Sequence, residues 1–122
     1  MDYLPVFLDL RERLTLVVGD GVAAARKVEL LLQAQARVRL IAPALRPELA
    51  SHRDAERIEH LAADFEPRHF DAVVLAIAAA ERAEVNQAVA AAGAARGVFV
   101  NVVDNRADSS CVMAAIVDRA QP

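Results

Sequence analysis

The stretch VVGDGVAAARK, residues 17–27, decides how this chain is read. It closes the apolar run Leu14–Val18 with a Gly-x-Gly turn and then enters a segment of helical period. A continuous apolar run ended by glycine suits a strand buried on both faces. From Val22 to about Gln35, Val28, Leu31 and Leu32 share one side while Lys27 and Gln33 lie elsewhere, which predicts a helix. Strand, glycine turn and helix in that order are the context a dinucleotide-binding fingerprint requires.

Gly19, Gly21 and Ala24 fill the three small positions of that fingerprint. Gly19 would allow the tight turn out of the strand. Gly21 would let the backbone approach a pyrophosphate, and Ala24 would let the helix pack close to the sheet. The helix start then presents free N–H groups and a positive dipole end to the phosphates, with Val22 as its first residue. The structural alternative is that the glycines only end a strand. Asp20 stands between them. Such a carboxylate caps a helix or favours its dipole, but turned inward it repels a pyrophosphate, so a modest weakening of binding at most is expected. The acid that normally follows about 20 residues on, to bind the ribose 2′-hydroxyl, is missing. That region reads Arg39-Leu40-Ile41-Ala42-Pro43, so the pattern does not choose NAD over NADP. Arg39 and Arg46 are the nearby cations, of a kind common on any surface.

Outward from the turn, short apolar runs alternate with helix-period segments. Arg37–Ala42 alternates as a strand and stops at Pro43, and Leu45–His52 predicts a short helix with Pro47 near its start. Arg57–Ala62 reads as a weaker strand and Pro67–Phe70 as a turn or single helical turn. Ala72–Ala79 is the strongest strand signal. Glu81–Arg96 predicts a helix with Val85, Ala88, Val89 and Ala92 inward, stopped by Gly93 or Gly97. Val98–Val103 gives a fifth strand, interrupted by Asn101. The alternation points to an α/β fold, a doubly wound parallel Rossmann-like sheet of order 3-2-1-4-5.

Composition narrows the function classes. The 122 residues suit one domain. With 56% hydrophobic residues and only 4% aromatic, the core must be built from Ala, Val and Leu. A net charge of −3 gives no electrostatic case for nucleic acid or an anionic membrane. A single cysteine, Cys111, excludes an internal disulfide. The N-terminus lacks the pattern of a signal peptide, no apolar run is long enough to span a bilayer, and a cytoplasmic location is expected. His52, His60 and His69 have no metal-ligand spacing and read as exposed or turn residues, and Cys111 as a small buried hydrophobe.

Several motifs in register resemble one family along essentially the whole chain. MDYLPVFLDLRER resembles its opening, VVGDGVAAARKVELLL its glycine turn and leucine-rich helix, and ARVRLIAP its second strand. LAIAAA with the later Glu84-Val85-Asn86, FVNVVD and SSCVMAAIVDR match the segments that follow. The chain is similar to the N-terminal NAD-binding domain of siroheme synthase, the precorrin-2 dehydrogenase module, some members of which also insert ferrous iron. The resemblance implies that NAD+ accepts a hydride from precorrin-2, a tetrapyrrole, which also loses a proton to become sirohydrochlorin. It places the family's key aspartate on Asp104. Cofactor contacts fall on Gly19, Asp20, Gly21 and Val22, with Ala24 completing the fingerprint, and on the end of the fourth strand at Ala79 and Ala80. Asn101 and Ser110 are the candidate substrate contacts, and no metal site is expected. The alternative for Asp104 is a residue of an Asx-type turn, with Asn105 beside it, and Ser110 could equally cap the segment that follows.

The sequence departs from the family at Asp20, where glycine is usual, and at Ala80-Glu81-Arg82, where a Thr-Asp-type pair is usual. Cys111 and Ala114 stand in place of an aromatic residue and a proline. The family also carries a helical dimerisation domain beyond the Val117-Asp118-Arg119 segment, whereas this sequence reads as the single NAD-binding domain 1–122. A homodimer or a partner chain supplying that region is the implied assembly. The competing reading is a catalytically inactive dinucleotide-binding or oligomerisation module that keeps the fold.

Overall fold

The computed structural model describes residues 2–113. Strands β1 (Leu14–Val18), β2 (Arg37–Ile41), β3 (Ile58–Leu61), β4 (Leu75–Ala78) and β5 (Phe99–Val102) form one sheet of order β3-β2-β1-β4-β5. Every neighbouring pair is parallel. The expected strand order is the observed one. The helices are α1 (Val22–Gln33), the short α2 (Ala50–Asp54) and α3 (Ala83–Arg96), with 3-10 turns at Pro47–Leu49 and Pro67–Phe70.

Two apolar clusters cover the two faces. On one, α1 lays Ala24, Val28 and Leu31 against Val17, Leu40 and Ile77. On the other, α3 lays Val89 and Ala92 against Leu16, Ala76 and Val100. Successive strand residues point to opposite faces, so β1 must be apolar at both parities to sit between two helices. Leu16, Val17 and Val18 meet that demand and are all buried.

Small residues bring α3 close to the sheet. A methyl group on Gly93 would collide with a Val100 methyl and lie 3.2 Å from the Phe70 ring. Gly93 is therefore an inward position of α3, and the helix stop is Gly97, whose left-handed φ of 68° ends it. Ala88, expected inward, is exposed. Gly93 occupies the sheet-facing side with Val89 and Ala92, and Ala88 falls on the flank.

Element bounds shift for local reasons. β4 begins at Leu75, not Ala72, because the Val73 N–H donates back to the Phe70 carbonyl and Ala72 has a φ of 66°. The short helix starts at Pro47, not Leu45, since proline holds the preceding Arg46 extended at ψ 140°. His69 lies in the expected turn but is buried, its Nδ1 accepting from the Glu66 N–H at 2.9 Å in a reciprocal cap. Ala114 and the segment after it lie outside the described residues.

Candidate functional site

In a parallel sheet of this order the loops leaving β1 and β4 meet at the carboxyl edge, where β1 lies between the two halves. The Gly19 N–H donates to the Ile41 carbonyl at 3.0 Å, and the Ala79 N–H to the Val18 carbonyl at 2.8 Å. These bonds carry the pairing one residue beyond the strands and set Gly19 against Ala79. Gly19 has a φ of 141°, open to glycine, and a methyl group there would collide with the Ala79 carbonyl oxygen. Its glycine is demanded by the fold.

Gly21 is different. Its φ of −87° and ψ of −171° are extended backbone available to any residue. A methyl group at Gly21 would meet no atom within 4 Å. No steric contact inside the described protein requires glycine at this position. Gly21 is also the N-cap of α1, and it offers no side chain to satisfy the first N–H groups of the helix. The first turn of α1 holds no acidic residue. Ala24 is buried beneath this turn, and Val22 projects outward.

A shallow cleft runs from this turn toward the segment after β2. Gly19, Asp20 and Gly21 line it together with Leu40, Ala44 and Arg46. Asp20 is exposed and lies within the cleft wall. Of the two arginines weighed from the sequence, only Arg46 is here. Arg39 is tied down elsewhere, donating to Glu59 at 2.7 Å and to the His69 and Asp71 carbonyls at 2.8 and 3.0 Å. Asp71 precedes β4, so Arg39 reaches toward the amino edge of the sheet.

The β4–α3 loop is clamped. Asn86 Oδ1 accepts from the Ala80 N–H and its Nδ2 donates to the Ala80 carbonyl, both at 2.9 Å. Ala79 and Ala80 are half-buried beside Gly19. The Asn86 side chain thus holds the backbone that faces the glycine turn. In the sequence Asn86 appeared only as part of the Glu84-Val85-Asn86 match; asparagine six residues past Ala80 has no periodic signature that announces this role.

Asp104 sits beyond β5 in a turn closed by the Asn105 N–H on the Val102 carbonyl at 3.0 Å. It has a φ of 60°, a left-handed conformation that aspartate tolerates, and it is exposed. The turn is closed by a backbone bond and not by the side-chain bond of an Asx-type turn, and Asp104 is exposed. β5 lies two strand spacings from β1, about 10 Å. Asp104 therefore shares the carboxyl edge with the glycine turn without touching it.

The two expected substrate contacts are engaged internally. Asn101 is buried, and its Nδ2 donates to the Cys111 carbonyl at 3.1 Å. Ser110 Oγ accepts from the Val100 N–H at 2.8 Å. Ser109, unremarked in the sequence, accepts from the Val102 N–H at 2.7 Å and donates to the Asn105 carbonyl at 2.8 Å. The serine pair covers the free edge of β5, which would otherwise expose unpaired backbone. Cys111 is half-buried, and burial pushes its thiol up. Among the described residues no cluster of His, Cys, Asp or Glu is placed to hold a metal, and no helix is long and apolar enough to cross a membrane.

Comparison with known proteins agrees with this fold. A family model described as "Putative NAD(P)-binding" matches residues 6–115. A siroheme synthase from Chromobacterium violaceum is 46% identical over 120 residues, covering 98% of this chain and 26% of the relative. One from Methylobacillus flagellatus is 48% identical over the same shares. This chain thus spans about a quarter of the length of these relatives. Among solved structures, SirC, a precorrin-2 dehydrogenase, matches with a TM-score of 0.80 at 22% identity. That match covers 98% of this chain and 59% of SirC, and it shows a shared fold.

Proposed function

The chain belongs to the NAD(P)-binding family whose model spans residues 6–115, and from that premise we propose that it is the NAD-binding domain of a precorrin-2 dehydrogenase. In the proposed reaction NAD+ takes a hydride from precorrin-2, and the macrocycle releases a proton to become sirohydrochlorin. The observation that carries the cofactor part is Gly21: a glycine the fold does not need, at the uncapped start of α1, with open space where a side chain would be. The residues present fit a dinucleotide. Gly19 and Gly21 would admit its pyrophosphate, the first N–H groups of α1 would bind it, and Ala79 and Ala80 would border it from β4. Bound there, the nicotinamide supplies the hydride acceptor.

Asp104 is the proposed proton acceptor, an exposed carboxylate on the same sheet edge, free to take a proton from substrate. Asn101 and Ser110 support that loop: each fixes the chain after Asp104 against β5, so their proposed role is to position the substrate wall. The siroheme synthase relatives, at 46–48% identity, support precorrin-2 as the substrate. The relatives' greater length supports turnover in the full-length protein or with a partner chain, in a homodimer of the family's kind.

A second reading, a dinucleotide-binding module without catalysis, is favoured by one observation. Asp20 puts a negative charge into the cleft wall where phosphates would lie. Calorimetry with NAD+ tests the common part. The native domain binds, and Gly21→Val, verified as folded by circular dichroism, loses about ten-fold or more in affinity as its side chain fills the approach. Equal binding by Gly21→Val would remove the cofactor assignment. NADH formation with precorrin-2 in the full-length protein, abolished by Asp104→Ala, separates the two readings.

A further inference from the structure

The amino edge of the sheet, away from the glycine turn, holds an open cavity of about 490 Å³ that the dinucleotide reading does not use. Its charged lining is Arg37 and Arg39 from β2, Arg53 from α2, Glu56 and Arg57 from the turn that follows, and Glu59 from β3. Four cations thus stand with two carboxylates, in a chain whose net charge is −3. The volume is that of a small-molecule site. We infer that this cavity binds a small polyanion, a molecule with two or more terminal phosphate or carboxylate groups. The inference is independent of the cofactor assignment.

The local structure explains how the charges gather. Alternate residues of a strand share a face, so Arg37 and Arg39 lie on one side of β2 while Val38 and Leu40 enter the core on the other. The connection from β3 to β4 carries the 3-10 turn Pro67–Phe70 where a doubly wound fold usually places a helix. Arg39 reaches that turn, donating to the His69 and Asp71 carbonyls. With no apolar helix to meet them, the outward positions of β2 hold cations.

The four guanidiniums divide by what they already bind. Arg39 is tied to Glu59 as well as to the two carbonyls, and Arg53 pairs with Asp54 at 3.3 Å. These two add positive field. Arg37 is exposed and forms no ion pair among the described residues. Arg57 donates from Nη2 to the Ala36 carbonyl at 3.0 Å, and its Nε–H is buried with no acceptor. A buried N–H of a charged group left unpaired is costly, and it marks a place for a further acceptor. The Val38 N–H donates to the Arg57 carbonyl at 3.1 Å, so Arg37 and Arg57 stand at the starts of neighbouring strands. An oxyanion bound between them supplies the acceptor that Arg57 lacks and meets the free fork of Arg37. Glu56 opposes it, but this carboxylate is exposed and screened by solvent. NAD+ offers only singly charged diesters set between two nucleosides, and is not the ligand in view.

The test is an NMR titration of the native chain with inorganic pyrophosphate and with citrate, at an ionic strength of about 0.1 M held with sodium chloride. Saturable shifts are expected at the Arg57 Nε–H and at the Arg37, Arg57 and Glu59 amides, with a dissociation constant below about 1 mM for at least one anion. Tighter binding of pyrophosphate assigns the site to phosphates, and of citrate to carboxylates. Arg37→Gln and Arg57→Gln, verified as folded by circular dichroism, each weaken binding about five-fold or more. Glu56→Gln tightens it about two-fold, and Arg82→Gln, at the carboxyl edge, leaves it unchanged. Shifts that do not saturate, a response confined to Gly19–Val22, or undiminished affinity in Arg37→Gln overturns the inference. Tighter binding of a glutamate-rich peptide than of either anion also overturns it, and gives this edge to an acidic protein segment.

Discussion

The loops that leave β1 and β4 face each other at one edge of the sheet and are built on opposite plans. The β1–α1 loop is Gly19-Asp20-Gly21, with the Asp20 carboxylate exposed, and α1 begins without a side-chain cap or an acidic residue in its first turn. The β4–α3 loop has its backbone consumed, since Asn86 takes both the N–H and the carbonyl of Ala80. Glu84 adds a negative charge to the first turn of α3, its carboxyl held below the usual range by its own backbone N–H and by Arg82. One helix start is left open to an anion and the other is closed to it. The difference separates a loop whose backbone is free for a ligand from one whose backbone is used internally, although both follow parallel strands in the same sheet.

Substitutions that break the comparison should have effects in a definite order. Gly19→Ala is the most damaging, because the methyl group meets the Ala79 carbonyl and the φ of 141° is closed to alanine. A loss of about 3 kcal/mol or more in urea unfolding is expected. Gly21→Ala, two residues away, should cost about 1 kcal/mol at most, the usual loss for alanine at a helix N-cap. A large loss there would show that the fold, not a ligand, demands the second glycine.

Asn86→Ala comes next. It removes both bonds to Ala80 and should cost about 2 kcal/mol, with Asn86→Asp retaining only the bond from the Ala80 N–H. Hydrogen exchange at Ala80 should rise in both variants, and unchanged protection would contradict the clamp. Ser109→Ala should cost about 1 kcal/mol through the uncovered edge of β5.

The smallest effect concerns pH and sits away from both loops. Burial, more than the neighbouring Arg68, holds His69 below the usual histidine range. The folded state keeps this ring neutral while the unfolded chain takes up a proton near pH 6.5. Stability should therefore decline as pH falls through that range toward the lower folded value. His69→Gln should flatten the decline seen in thermal unfolding between pH 7 and pH 5, and an unchanged slope would assign it to other groups.

The fold was legible because its signals are repetitive. Five apolar runs, one glycine turn and two helical periods predict the order β3-β2-β1-β4-β5. What escaped was set by contacts without a period. Ala88 matched the inward spacing of α3, yet Gly93 is the position pressed onto Val100. Ala72 looked like strand, but the turn from Phe70 continues through it. The candidate site divides the same way. Gly19, Gly21 and Ala24 announce themselves as a motif, whereas Asn86 and Ser109 act by single side-chain bonds to backbone that no local pattern reports. Arg39 and Arg46 were equal in the sequence, and only the cleft separates them.

The central claim is that the open loop receives a dinucleotide and the closed loop only borders it. A backbone-amide NMR titration of the native domain with NAD+ tests this residue by residue. The largest shifts should fall on Gly19–Ala24, smaller ones on Ala79 and Ala80, and none on the amino-edge residues Arg37 and Ile58. Saturation without any change at Gly21 and Val22, or shifts concentrated at the amino edge, would contradict it.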